Sequence, residues 1–81
     1  MTRTKFTPRV GQIYTNQGGG TFLCTDSDEI HLPYNATMQN TASGGTLCAK
    51  RCGIYEDGTV DWDYSTNGRF EDIVKYQALG N

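Results

Sequence analysis

Asp61 and Asp63 lie one residue apart in the stretch Asp57 to Gly68, DGTVDWDYSTNG, and are the residues of this chain that first suggest chemistry. Two carboxylates at that spacing could ligate a divalent cation or divide acid and base roles. The metal reading has a template, because Asp61, Asp63 and Ser65 take positions 1, 3 and 5 of a calcium loop and Asp72 takes position 12. It then fails on backbone grounds. Position 6, where the loop needs glycine for its sharp turn, is Thr66, and Gly68 stands at position 8 where an apolar residue belongs. On an extended strand the two aspartates would also sit about 6–7 Å apart along the axis. Acid–base work lacks a companion, since no nucleophile adjoins the pair and the lone His31 is distant in sequence.

Cys24, Cys48, Cys52 and His31 offer a Cys₃His zinc set. Cys48 and Cys52 would be about 13 Å apart on one extended strand. Two ligands of one tetrahedral zinc must come within about 4 Å. Small buried hydrophobes are the better reading of these thiols. Three cysteines cannot all pair within the chain, and a reducing cytosol favours free thiols. Asn16 to Phe22, NQGGGTF, offers an anion nest in which Asn16, Gly18, Gly19 and Gly20 hold a phosphate with Arg69. The run matches neither the P-loop nor the dinucleotide fingerprint, so a flexible hairpin turn is its main reading. No cofactor or metal is expected, and the chain reads as a non-enzyme.

The elements that must position these residues are short strands. Val10 to Gln17 reads as a strand, Gly18 to Gly20 as a turn, and Thr21 to Thr25 as the returning strand. Asp26 to Glu29 is a polar loop, and Pro33 demotes Ile30 to Tyr34 to an edge or an irregular segment. Asn35 to Asn40 reads as a strand carrying Met38, ended by the TASGG loop. Thr46 to Glu56 and Thr59 to Ser65 form a hairpin about Asp57-Gly58, the strongest turn signal present. Asn67-Gly68 marks another turn. Phe70 to Leu79 fits a helix face or a strand face, with a final strand slightly favoured. The fold class is therefore mainly β, a small antiparallel barrel or curved meander of five to six short strands, with a short C-terminal helix as the variant.

A two-residue turn at Asp57-Gly58 sets Glu56 opposite Thr59, Tyr55 opposite Val60, Gly53 opposite Trp62 and Arg51 opposite Tyr64. Trp62 then covers the bare Gly53, and Arg51 meets the Tyr64 ring. Val60, Trp62 and Tyr64 share one face while Asp61, Asp63 and Ser65 share the other. The same register places Ile54, Cys52 and Cys48 on the aspartate face. Either a bulge at Gly53 flips the register or neither face is purely wet.

Bulk properties bound the rest. Eighty-one residues make one domain, with a core small enough that a dimer interface or a partner commonly helps. A formal charge of −2 argues against a general phosphate-backbone binder. Arg3, Lys5 and Arg9 make the first nine residues basic, read as a flexible arm, while Glu56, Asp57, Asp61 and Asp63 cluster within eight. No apolar run reaches the roughly 20 residues of a membrane span and no signal-peptide core follows Met1, so a cytoplasmic location is expected. Five tyrosines and Trp62 exceed what so small a core hides, so two or three should stay partly exposed as a contact surface.

The segments VGQIYTNQGGGTFLC, TMQNTASGG and GIYEDGTVDWDYSTNGRFE resemble a group of short β-rich proteins of Gram-positive bacteria and their phages and prophages. The resemblance spans roughly residues 10–72. That group often carries an aromatic after the serine-glycine of the TASGG loop, where this chain has Gly45. The resemblance implies no catalytic residues. It implies a stoichiometric binder of phage or mobile-element type that inhibits a bacterial defence system in the host cytosol, like an anti-CRISPR protein. The expected partner is a host protein, for instance a nucleic-acid-binding effector, contacted through Glu56, Asp57, Asp61, Trp62, Asp63, Tyr64 and Arg69. The alternatives are a nucleotide-signal sponge using Asn16 to Gly20 and Arg69, or a homodimeric accessory protein of bacterium or virion.

Overall fold

The computed structural model describes residues 2–72. Eight strands run in chain order as β1 (Arg3–Lys5), β2 (Ile13–Thr15), β3 (Thr21–Ser27), β4 (Ala36–Asn40), β5 (Thr46–Lys50), β6 (Gly53–Tyr55), β7 (Val60–Asp61) and β8 (Tyr64–Asn67). They form a five-stranded sheet in the order β2-β3-β4-β5-β8 and a three-stranded sheet in the order β1-β6-β7. Every ladder within the sheets is antiparallel. One isolated parallel bridge, Asn16 with Val60, ties the β2 end of one sheet to β7 of the other. Neither strand order closes on itself, so the eight strands form no closed barrel.

The period of two explains which side chains go inside. Along β3, Phe22 and Cys24 are buried while Thr21 and Leu23 alternate outward. β4 is central and covered on both faces, with Ala36 and Met38 on the core side and Thr37 on the other. Phe22, Cys24, Ala36, Met38, Ala49 and Cys52 form the core cluster, with Phe6, Tyr14, Leu47 and Trp62 packed around it. On the opposite face Thr37 pairs across the ladder with the buried Cys48 and accepts a hydrogen bond from the Phe70 amide through its hydroxyl. The β3–β4 ladder slips between Cys24 and Asp26, leaving Thr25 unpaired as a bulge.

The second hairpin departs from expectation in register. Its loop has three residues, Glu56, Asp57 and Gly58, rather than two. Tyr55 N donates to Thr59 O at 2.8 Å, Gly58 N donates to Tyr55 O at 2.9 Å, and Gly58 adopts φ 87°. A β-turn closed by a left-handed glycine is the usual three-residue hairpin loop. Gly53 therefore faces Asp61 and Ile54 faces Val60, one residue off the expected pairing. A one-residue slip moves every side chain to the other face. Cys52, Ile54, Val60 and Trp62 now share the inner face, while Asp61 and Asp63 turn outward. The conflict posed by Ile54 and Cys52 disappears, and the cause is the turn rather than a bulge at Gly53.

The hairpin is also broken where a single long arm was expected. Lys50 faces Tyr64 in the same register that Gly53 keeps with Asp61, so β5–β6 and β7–β8 are one ribbon bent in the middle. At the bend Arg51 takes the left-handed φ of 55°, a conformation that costs a non-glycine residue roughly 1–3 kcal/mol. Asp63 N donates to Lys50 O at 2.9 Å and holds the two arms together across it. The bend splits the ribbon between the two sheets. With β1, this raises the strand number above the five or six expected.

Two further expectations change. Arg3–Lys5, read as part of a flexible basic arm, is an edge strand on β6. Ile30 to Tyr34 is the irregular segment that Pro33 allows for, made of bends and a turn, whereas a helical turn begins at Phe70. The expected strand over Phe70 to Leu79 is thus not seen in its described part, and residues 73–79 lie outside the described residues. Among the described residues no helix is long and apolar enough to cross a membrane.

Candidate functional site

The bent hairpin carries most of the residues expected to do chemistry, and it sorts them into three places. In the middle is a clamp. Pairing of β1 with β6 sets Arg3 opposite Tyr55 and Lys5 opposite Gly53. The Arg3 side chain lies flat across Gly53, whose missing side chain makes the passage, since a Cβ there would fall 2.5 Å from Arg3 Cζ and 2.7 Å from Cγ. Arg3, not Trp62, covers that glycine. Its guanidinium reaches Asp61 Oδ1 at 2.5 Å, Asp63 Oδ1 at 3.3 Å and the Arg51 carbonyl at 2.5 Å. Arg51 Nε lies 3.1 Å from Asp63 Oδ2, and the Tyr55 hydroxyl donates to Asp61 Oδ2 at 2.6 Å.

Both carboxylate oxygens of Asp61 thus accept a hydrogen bond, while those of Asp63 are ion-paired with Arg3 and Arg51. Partial burial pushes the Asp61 carboxyl up, but the Tyr55 and Arg3 hydrogen bonds and the Arg3 charge outweigh it and hold the group below the usual carboxylate range. The bond to Asp61 in turn raises the Tyr55 phenol. With Arg3 and Arg51 against Asp61 and Asp63 the cluster is charge-balanced and joins β1, β6 and the bend.

At the tip, Glu56 and Asp57 are exposed, and among the described residues neither has a cationic partner. Asp57 Oδ1 accepts from Thr59 N at 3.0 Å and from Thr59 Oγ1 at 2.6 Å, which holds its carboxyl low and ionised. Thr59 Oγ1 also accepts from Gln17 Nε2, and Gln17 N donates to Val60 O at 3.0 Å. The acidic tip is therefore fixed to the end of β2. Beyond the bend, Tyr64 stands 49% exposed, with Lys50 Nζ 5.7 Å and Arg51 Cζ 5.6 Å from its ring. The expected Arg51–Tyr64 contact exists, although Lys50 is the residue directly opposite. Trp62 faces inward, its ring edge-on to Phe22 at 5.1 Å and 90°.

The remaining candidates lie apart. In the glycine run, Gly19 N donates to Asn16 O at 2.9 Å and Gly20 N to Asn16 Oδ1 at 3.0 Å, so two of the three glycine amides are spent on the turn itself. Arg69 follows β8, on the opposite edge of the five-stranded sheet from β2, and pairs with Glu71 at 3.2 Å. The structure does not bring Arg69 to Asn16, Gly18, Gly19 and Gly20. His31 Nδ1 meets Asp28 Oδ2 at 2.7 Å in an exposed loop.

All three cysteines are free thiols and buried. Burial pushes Cys24 up to about 11 and Cys52 to about 12, far from thiolate chemistry at neutral pH. The bend means that Cys48 and Cys52 do not share one straight strand. Among the described residues no group of three or more His, Cys, Asp or Glu could hold a metal ion.

Sequence reasoning passed over Arg3, Tyr55 and Lys50 as site residues. The bare glycine at 53 was the available signal for Arg3, because something must lie over it. No protein-family model matches the chain, and neither a curated protein nor a solved structure is detectably similar to it.

Proposed function

We propose that this chain is a non-enzymatic binding protein of phage or mobile-element type, which inhibits a bacterial defence component by stoichiometric occupation. The observation that carries the reading is the acidic tip. Glu56 and Asp57 are presented on a loop already fixed by Asp57–Thr59, Thr59–Gln17 and Gln17–Val60 hydrogen bonds. A preorganised loop loses little conformational freedom on docking, which favours tight binding from a small contact. Two unneutralised carboxylates suit a basic groove such as that of a nucleic-acid-binding effector. Asp61 and Asp63 support this surface from behind rather than touching the partner.

The test is capture from a lysate of a Gram-positive host with the tagged full chain. The reading expects one host protein retained at a fixed stoichiometry and released by salt, as electrostatic docking requires. Recovery of a nucleotide alone, or of the chain with nothing but itself, overturns it.

A further inference from the structure

Among the described residues only Tyr34 (φ 68°) and Arg51 (φ 55°) are non-glycine residues with left-handed backbone. They are neighbours. Cys52 N donates to Tyr34 O at 2.6 Å and Arg51 N donates to Asn35 Oδ1 at 3.0 Å, while Tyr34 N is held by Thr7 Oγ1 at 3.0 Å. Two strained residues stitched to each other mark a place where the fold sacrifices backbone comfort to aim side chains. Both side chains point to solvent, Tyr34 at 38% and Arg51 at 58% exposure.

Around them lies an aromatic and cationic face. Tyr64 is flanked by Arg51 and Lys50, and Lys5 Nζ lies 5.9 Å from the Tyr34 ring. Arg3, Lys5, Lys50 and Arg51 meet only Asp61 and Asp63 in this set, so the face is net positive on a chain of formal charge −2. From Arg51 to Glu56 the ribbon runs five residues, about 17 Å, so this face is separate from the acidic tip.

We propose that the face formed by Tyr34, Arg51 and Tyr64, edged by Lys5 and Lys50, binds single-stranded nucleic acid. Exposed rings supply stacking planes that accept any base, and adjacent cations track the phosphates between them. A duplex hides its base faces and would leave both rings idle. An acidic peptide would satisfy the cations but offers the rings nothing to stack on. With two stacking positions and a small surplus of positive charge, the site covers a few nucleotides. Engaging two or three phosphates gives a slope of log K on log salt of about −1.5 to −2. The inference is independent of the protein target proposed above.

The experiment is fluorescence anisotropy of a labelled dT12 oligonucleotide titrated with the full chain at about 50 mM salt, a concentration at which such contacts are weakly screened. Saturable binding is expected, weakened about tenfold or more in Tyr64→Leu and in Tyr34→Leu, consistent with the loss of one stacked base. Lys50→Gln should weaken binding and flatten the salt slope, and circular dichroism should show each variant folded. Glu56→Lys with Asp57→Lys should bind at least as well as wild type, since the tip lies elsewhere. Absence of binding, or a Tyr64→Leu variant that is folded and binds like wild type, overturns the proposal. So does displacement of the oligonucleotide by poly-glutamate as readily as by unlabelled dT12, which would make the face a site for acidic protein segments.

Discussion

Replacing Gly53 by alanine should destabilise the fold, and only while Arg3 is present. The added Cβ lands 2.5 Å from Arg3 Cζ and 2.7 Å from Cγ, too close for the side chain to keep its course. Gly53 lacks a positive φ, so alanine is otherwise acceptable there. Displacing Arg3 removes its contacts with Asp61, Asp63 and the Arg51 carbonyl. Charge-assisted hydrogen bonds contribute roughly 1.5–3 kcal/mol each when sheltered and well under 1 kcal/mol when exposed. With this cluster about a quarter to a half exposed, the set should be worth about 2 kcal/mol. Gly53→Ala alone should cost about 1–2 kcal/mol, after a gain of about 0.4–1 from the restricted unfolded chain. In an Arg3→Ala background the same change should be neutral or slightly stabilising. Urea unfolding of the four proteins, followed by Trp62 fluorescence, gives the coupling energy directly. A coupling below about 0.5 kcal/mol, with Gly53→Ala equally costly in both backgrounds, would refute the clamp.

Other outcomes follow from the same geometry. Asp61→Asn with Asp63→Asn should lower the melting temperature by several degrees, at about 4–8 °C per kcal/mol, whereas Glu56→Gln should leave it within a degree or two. Because the Asp61 carboxyl is held below its ordinary value of about 3.9, its contribution is fully present above about pH 4 and is lost as pH falls through the folded value. Acid titration of stability should therefore show a steeper fall for wild type than for Asp61→Asn. Cys24 and Cys52, buried and raised to about 11 and 12, should react with a thiol reagent at neutral pH only as the chain opens, so labelling should accelerate with urea. Met38→Ala, which empties the centre of the core cluster, should cost about 2–5 kcal/mol.

Much of the fold is written locally. The β2–β3 hairpin about Gly18 to Gly20 and the strand carrying Met38 follow from alternation and turn chemistry, although β2 is only Ile13–Thr15 rather than Val10 to Gln17, because the chain turns at Val10–Gly11 where Gly11 takes φ 90°. The register of the second hairpin does not, because Asp57-Gly58 suits a two-residue turn and equally the end of a three-residue loop. The information that separates them was nonetheless present in the faces. Only the three-residue loop puts Cys52 and Ile54 with Val60 and Trp62. The bend at Arg51 has no local signature, since arginine is not a residue that advertises left-handed backbone. The Arg3–Asp61 pair joins residues 58 positions apart, and charge pattern alone reads Arg3 as solvated. The acidic cluster that looked uniform in sequence is therefore two pairs in different settings, Asp61 and Asp63 against Arg3, Arg51 and Tyr55, and Glu56 and Asp57 exposed at the tip with no cationic partner among the described residues.

That division is most directly tested by isothermal titration of the captured host protein with two variants of the full chain in parallel, at a temperature where both are folded. Glu56→Lys with Asp57→Lys should lose at least tenfold in affinity, about 1.4 kcal/mol, while Asp61→Asn with Asp63→Asn should bind within a few-fold of wild type. The reverse result, with the tip variant binding normally and the clamp variant failing while folded, would contradict the account.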